Sequence, residues 1–316
     1  MSVATDRRMP AVVSNSTPPA AGLVSIVLPT FNGARYLREA IDGCLQQTYT
    51  NLEVVVVVDA STDTTRDILQ AIPDPRLRVV WHEQNRGLAA SLNSGFAQAH
   101  GEYLSWTSDD NCYQSTAIER MLAYLPRVKA DFIYADYHRI DDAGQTLEVV
   151  RLGPPQELLE RNPVGACFLY RREVYTAVGD YDLQARLAED LDYWLRVYRS
   201  FKMARLREDL YAYRIHPSSL TGTSYNRYEA LRVAARARYR TLKIGWRRYA
   251  QQMADSDIQE GFARYARGDL SGAQSVFWRA VRFNPAWLTN RGVCSILLRS
   301  FFPPAQPVGK GQRPRP

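Results

Sequence analysis

The sequence predicts an α/β protein, with a doubly wound, mainly parallel central sheet flanked by helices and a C-terminal α-helical extension. Three observations carry this. Nearly continuous apolar, β-branched runs alternate with stretches of helical period, polar clusters close those runs, and the chemistry of the chain changes after Tyr225. Apolar runs without alternation suit parallel strands buried on both faces. Strands alternating with helices wind into a parallel sheet.

Residues 1–22, rich in Pro, Ser, Thr and Ala, read as a disordered leader. Residues 23–28 form the first strand. Residues 34–46 form the first helix, with Leu37, Ile41 and Leu45 at helical spacing. The second strand is 53–58. Ser61 is the expected N-cap of the next helix, with Asp63 in its first turn and Ile68 and Leu69 on its buried face. Residues 77–81 are a strand, and 88–99 a helix with Leu92 and Phe96 inward. Residues 103–107 are a strand that ends at Ser108-Asp109-Asp110-Asn111. In such sheets ligands bind beyond the carboxyl ends of the strands, where these polar clusters sit. A helix at 115–125, strands at 132–134 and 167–171, and an amphipathic helix at 189–198 complete a domain expected over 23–224. The extension, 225–302, reads as one long Arg-rich helix over 227–249 and a helical hairpin over 258–282 that turns at Gly268-Asp269. Residues 303–316 are Pro-, Gly- and Arg/Lys-rich and read as a disordered basic tail.

Composition narrows the function. At 46% hydrophobic and 23% charged the chain is ordinary globular chemistry, which excludes a wholly disordered or fibrous protein. The longest apolar runs fall far below the ~18 residues of a membrane-spanning helix, and the N-terminus has no signal-peptide core, so the expected location is cytoplasmic. Cys44, Cys112, Cys167 and Cys294 are scattered without CxxC spacing, which fits neither a zinc knuckle nor a disulfide framework. The net charge of +7 is uneven: residues 225–316 hold 17 basic and 5 acidic side chains, leaving −5 on residues 1–224. Two readings of the basic end stand open, a solvated helical surface and contact with an anionic partner such as a membrane surface.

Neither GxxxxGK[ST] nor GxGxxG occurs, so any phosphate must be held another way. A divalent cation with one or two carboxylate ligands and substrate phosphates is one solution. Asp109 and Asp110 at a strand end suit it, since a cation relieves the repulsion of adjacent carboxylates. A simple turn or helix cap is the other reading of the pair.

The order of motifs is more specific. Pro29-Thr30-Phe31-Asn32 follows the first strand, and Asp59-Ala60-Ser61-Thr62-Asp63 the second. Asn85-Arg86-Gly87 leads into the third helix, and Gly101-Glu102-Tyr103 opens the strand that ends at Ser108-Asp109-Asp110-Asn111. Glu189-Asp190 precedes Trp194-Leu195-Arg196, and Tyr213-Arg214-Ile215-His216 comes last. In this order and spacing, over about residues 23–222, the chain resembles the family 2 glycosyltransferases of GT-A fold.

That resemblance implies an inverting, metal-dependent transfer of sugar from a nucleoside-diphosphate sugar to a hydroxyl of a glycan or lipid-linked acceptor, in assembly of cell-surface polysaccharide or glycoconjugate. Pro29, Thr30 and Asn32 resemble the loop around the nucleoside. Asp59 resembles the carboxylate that accepts from the N3–H of uracil or thymine, which implies a UDP or dTDP donor. Arg86 stands at a base or phosphate contact. Asp109 and Asp110 resemble the DxD element, with Ser108 where the first Asp often is. Asp110 keeps the metal position for Mn²⁺ or Mg²⁺, and Asp109 faces ribose or Arg86. Asp190 resembles the general base that takes the acceptor proton, and an acidic pair at a helix N-terminus is its bland reading. His216 resembles the histidine that completes the metal site, and a structural hydrogen bond is its alternative. Glu189, Trp194 and Arg196 fall on the acceptor side. For Trp194 a place in the core, and for Arg196 a partner carboxylate, are the competing readings.

No QxxRW motif or spanning helix accompanies these motifs, which argues against a processive membrane synthase. Two other functions are weighed: a non-catalytic nucleotide-sugar-binding or scaffold protein acting through the tail, and a nucleotidyltransferase, whose Gly-rich start is missing. No module for reading nucleic-acid bases is visible. Gly268-Asp269-Leu270, Ala273, Phe277, Ala280 and Asn284-Pro285 resemble one tetratricopeptide helix pair, too few for an array. Trp246, Trp278, Trp287 and the segment 287–302 mix aromatics with Arg, as at a bilayer surface, and equally as in a packed hairpin.

Overall fold

A computed structural model describes residues 20–185, 187–219 and 224–299; of Ala20, Ala21 and residues 224–227 only the backbone is described. Most of the predicted leader (1–19) and all of the 303–316 tail lie outside the described residues. The first strand, β1 (Ala20–Thr30), takes in the last three residues assigned to the leader.

The elements follow in the expected alternation: α1 (Ala34–Leu45), β2 (Leu52–Asp59), α2 (Thr65–Gln70), β3 (Leu77–His82), α3 (Leu88–Gln98) and β4 (Gly101–Trp106). Then come β5 (Cys112–Tyr113), α4 (Ala117–Arg127), β6 (Phe132–Ile140), β7 (Thr146–Val150), a 3-10 turn at Pro155–Leu159, β8 (Phe168–Arg171), α5 (Arg172–Val178), α6 (Glu189–Ser200) and β9 (Met203–Arg214). Among the described residues one nine-stranded sheet runs β3-β2-β1-β4-β8-β6-β9-β5, with β7 on β6. Strands β1 to β4 pair in parallel, as do β6 and β9, while β8 runs antiparallel between β4 and β6. With β5 on β9 and β7 on β6 also antiparallel, the sheet is mixed, its parallel part formed by β1 to β4 and by β6 with β9.

Every residue of β2 is buried, as its unbroken apolar run requires. Ile26, Leu28, Val54 and Val56 pack with Leu37, Ile41, Met121 and Leu125 on one face. Val27, Val55 and Val57 pack with Leu92, Phe96, Phe168 and Trp194 on the other.

Three local expectations are corrected. Helix α2 starts after Thr64, not Ser61; Ala60 adopts φ 61° at the end of β2, which turns Ser61 toward the β1 loop instead. The long strand β9 occupies a segment whose apolar pattern predicts no strand. The predicted Arg-rich helix is two, α7 (Ser224–Leu242) and α8 (Trp246–Ala266), broken where Lys243 takes φ 51°.

The hairpin of α8 and α9 (Leu270–Phe283) turns at Gly268, where φ is 85°, and Asp269 caps α9 by accepting from Gly272 N at 2.9 Å. A 3-10 turn at Pro285–Thr289 leads to α10 (Arg291–Leu298). Ile296 and Leu297 are buried with Ala273 and Phe277, so the centre of the segment considered for a bilayer surface packs inward. Helix α7 places Ala234 and Ala237 in the same core as Trp194. Arg238 of α7 donates from Nε to Leu158 O at 2.7 Å.

The extension's charge is partly consumed within it. Asp257, fully buried, takes Arg232 at 3.0 Å and Arg279 at 2.8 Å, and Glu260 takes Arg232 at 2.6 Å and Arg264 at 2.8 Å. Removing one member of a buried ionic set leaves the others unpaired in low dielectric. Asp257→Ala is expected to lower stability by about 3 kcal/mol, read from denaturant midpoints. A loss under about 1 kcal/mol would class the network with exposed pairs.

Candidate active site

The carboxyl ends of β1, β2 and β4 meet at one edge. Thr30 Oγ1 donates to Asp109 Oδ2 at 2.5 Å, joining the first motif to the fourth. A methyl on Gly33 would lie 1.9 Å from that same oxygen, so only glycine lets the carboxylate sit against the start of α1. Burial pushes the Asp109 carboxyl up to about 6; the Thr30 hydrogen bond opposes this and the Asp110 charge adds to it.

Asn32 (φ 54°) ties the β1 and β2 loops together. Its N–H donates to Ser61 Oγ at 3.0 Å, and its side-chain oxygen accepts from Thr62 N at 2.8 Å. Pro29 lies within β1 opposite Val57, so it shapes the loop from the strand. Asp59 Oδ1 binds His82 Nδ1 at 2.7 Å and Arg86 N at 2.9 Å, and Oδ2 accepts from Gly87 N at 2.8 Å. Asp59 thus holds the turn that carries Arg86, whose exposed guanidinium makes no hydrogen bond or ion pair among the described residues.

Asp110 and His216 meet although 106 residues separate them: Asp110 Oδ2 and His216 Nε2 are 3.0 Å apart. Arg214, 3% exposed, makes the meeting possible. Its N–H donates to Asn111 Oδ1 at 2.7 Å, its Nε to Asp110 O at 3.0 Å, and its guanidinium reaches Glu39 at 2.7 Å and lies over the Tyr36 ring. Asp110 Oδ1 is buried with no hydrogen-bond partner. A buried carboxylate oxygen without a donor, beside an imidazole nitrogen, fits a divalent cation. No set of three or more His, Cys, Asp or Glu side chains gathers for a metal among the described residues, so such a cation would complete its shell with phosphate and water oxygens.

Asp190 opens α6. Its Oδ2 accepts from Asn162 Nδ2 at 2.9 Å and its Oδ1 from Leu191 N at 2.6 Å. Burial raises its carboxyl above the usual aspartate range, and these two bonds hold the rise back. Register brings Asp190 toward the same edge as Asp110. Strand β8 runs antiparallel to β4 with Tyr170 opposite Leu104, so the segment carrying Asn162 enters β8 beside the carboxyl end of β4. Burial likewise raises Glu189, with the Asp190 charge adding to it, and Glu189 Oε2 is buried without a partner.

Two acceptor-side assignments are corrected. Trp194 is fully buried, edge-on to Phe132 and Phe168 at 4.9 and 4.7 Å, and has no face to offer an acceptor. Arg196 is committed to Asp192 at 2.9 Å and to the carbonyls of Val178 and Asp180 at 3.0 and 2.9 Å, so it braces the loop before α6. Gly33, Asn162 and Arg214 have site roles that the sequence reading did not assign. For Asn162 the only local signal is the Asn-Pro step that follows it into the apolar segment.

The profile of glycosyl transferase family 2 matches residues 25–179. An uncharacterized glycosyltransferase of Rickettsia typhi is 33% identical over 226 residues, which are 66% of this chain and 70% of that one. This chain belongs to glycosyl transferase family 2. It is therefore a glycosyltransferase, and nucleotidyl transfer is set aside. A Bacillus subtilis relative, TuaG, named as a candidate teichuronic acid biosynthesis glycosyltransferase, is 27% identical over 64% of this chain and 83% of its own length. S. aureus TarS residues 1–349 in complex with UDP-GlcNAc superimpose with a TM-score of 0.62 at 18% identity, covering 89% of this chain and 85% of that one. A Pyrobaculum calidifontis mannosyltransferase in complex with GDP-Man and Mn²⁺ gives 0.56 at 16%, covering 91% and 87%. These two likenesses establish the GT-A fold, and with it the α/β sheet and the helices that follow. No helix among the described residues is long and apolar enough to cross a membrane.

Proposed function

We propose that this family 2 enzyme is inverting and metal-dependent. It would move a sugar from a nucleoside-diphosphate sugar, UDP or dTDP preferred, to a hydroxyl of a glycan or lipid-linked acceptor in polysaccharide assembly. The buried, unpartnered Asp110 Oδ1 beside His216 Nε2 carries this reading. Asp110 and His216 would hold Mn²⁺ or Mg²⁺, which supplies charge neutralisation for the departing diphosphate. Thr30 keeps Asp109 in place beside them. Asp190, ionised, accepts the proton of the acceptor hydroxyl as that oxygen attacks the anomeric carbon. Attack from the face opposite the diphosphate inverts the configuration.

The uridine preference rests on Asp59. His82, Arg86 and Gly87 hold both oxygens of its buried carboxylate, Arg86 N reaching Oδ1 at 2.9 Å and Oδ2 at 3.1 Å, so a pyrimidine N3–H would be accepted in exchange for one of these bonds. TarS with UDP-GlcNAc and TuaG in teichuronic acid biosynthesis agree in kind with such a donor and such an acceptor. A thermal-shift panel of UDP, dTDP, GDP and CDP with and without Mn²⁺ tests it, since a ligand at 100 times Kd stabilises by about 2.7 kcal/mol. UDP or dTDP with Mn²⁺ should give the largest shift. An equal shift with GDP or CDP overturns the base preference, and no shift with any overturns the donor assignment.

A further inference from the structure

A cavity of 340 Å³ lies away from the Asp110–His216 pair and is lined by Asp136, Arg151, Arg205 and Arg207. Asp136 is on β6, while Arg205 precedes and Arg207 lies within the irregular stretch where β9 changes register between Ala135 opposite Leu206 and Asp136 opposite Asp209. Arg205 stands opposite Tyr134, and Arg207, two residues on, lines the same cavity. Asp136 is buried and already committed, accepting from Leu152 N at 2.9 Å and Arg151 at 3.1 Å. The guanidiniums of Arg205 and Arg207 have no hydrogen bond or ion pair among the described residues. Three guanidiniums around one carboxylate leave an excess of two positive charges. Planar guanidiniums that present paired N–H groups match carboxylate and phosphate alike, and of the two a phosphate dianion answers an excess of two positive charges where a carboxylate leaves one unmet.

The position of the cavity relates it to the transfer site. Ala135 N donates to Cys167 O at 2.9 Å, which lays the segment 162–166 beside Asp136. Within that segment Gly165 packs on the Tyr137 ring and Leu152. Asn162, three residues earlier, holds Asp190. The stretch from Arg151 to Asn162 thus lines the cavity at one end and positions the proposed base at the other.

We infer that Arg151, Arg205 and Arg207 bind a phosphate group carried by the acceptor. This rests on the reading of Asp190 as the acceptor-side base. A phosphate fixed at this cavity would leave the neighbouring sugar hydroxyl to reach Asp190, and acceptors without phosphate would bind more weakly.

The test uses the full chain saturated with UDP and Mn²⁺, so that the donor site is filled, and titrates glycerol 1-phosphate by calorimetry. Arg205→Gln/Arg207→Gln should weaken binding about tenfold or more, because hydrogen bonds to charged groups are the strong ones, while UDP affinity and melting midpoint stay at wild-type values. Arg205→Lys/Arg207→Lys, keeping charge but losing the fork, should fall between. Binding of glycerol 1-phosphate that the double Gln variant does not alter overturns the site, and so does glucuronate binding as tightly as the phosphate ester. Binding only to phosphatidylglycerol vesicles, and not to glycerol 1-phosphate, assigns the arginines to a membrane surface and overturns the acceptor role. Failure of wild-type protein to bind UDP, by contrast, counts against the donor reading alone.

Discussion

Asp190→Asn should leave donor binding intact and lower turnover by ~10²–10⁴-fold, the usual worth of a general base. The amide keeps the shape and its single oxygen can still accept from Leu191 N, but its NH2 cannot accept from Asn162 and it cannot take the acceptor proton. Donor affinity measured by calorimetry alongside single-turnover transfer separates the two effects. Near wild-type turnover in this variant would remove Asp190 from the mechanism. The pH profile adds a second check. Burial raises the Asp190 carboxyl, and only the ionised form can act, so the acid limb of the rate should lie above the ordinary aspartate value of ~3.9. Asn162→Ala removes a donor that favours the ionised form, so it should move that limb to still higher pH. A merely structural Asn162 would lower activity without moving the limb.

Asp110→Ala should sharply weaken metal-dependent binding of the nucleoside diphosphate, because it deletes the buried, unpartnered carboxylate oxygen that lies beside His216. The expected loss in Mn²⁺-dependent affinity is about a hundredfold or more, the scale of a lost charge-assisted ligand. His216→Ala should lose less, since an oxygen of water can take the vacated position. If calorimetry with UDP shows the same Mn²⁺ dependence in Asp110→Ala as in wild type, the cation is held elsewhere.

The strands and their polar termini were legible because burial on both faces writes itself as uninterrupted valine, as in β2, and because ligands gather where such strands end. The hold of Thr30 on Asp109 and the meeting of Asp110 with His216 depend on distant residues, so only their membership of one edge could be anticipated. Trp194 misled because an aromatic four residues beyond two acids looks the same in sequence whether it faces the cleft or the core. Register decided that it faces Phe132 and Phe168. Strand β9 was missed because Arg205, Arg207, Glu208 and Asp209 interrupt its apolar pattern at the irregularity against β6. The break between α7 and α8 was missed because Arg-rich helical composition continues across it, and only a single left-handed residue, Lys243, ends the first helix.

The apolar face of α7 belongs to the same core as α6, although its sequence reads as part of the extension. What can be swapped between related enzymes is therefore smaller than the change in composition suggests. Recombination that cut at Tyr225 would carry off a wall of the catalytic unit. Recombination that cut at Lys243 would exchange a hairpin whose own core of Ile258, Phe277, Val293 and Ile296 travels with it. The seam of the protein lies at that left-handed residue, and a new C-terminal module joined there leaves the packing behind Asp190 in place but must bring its own carboxylates for Arg232 of α7, which Asp257 and Glu260 now supply.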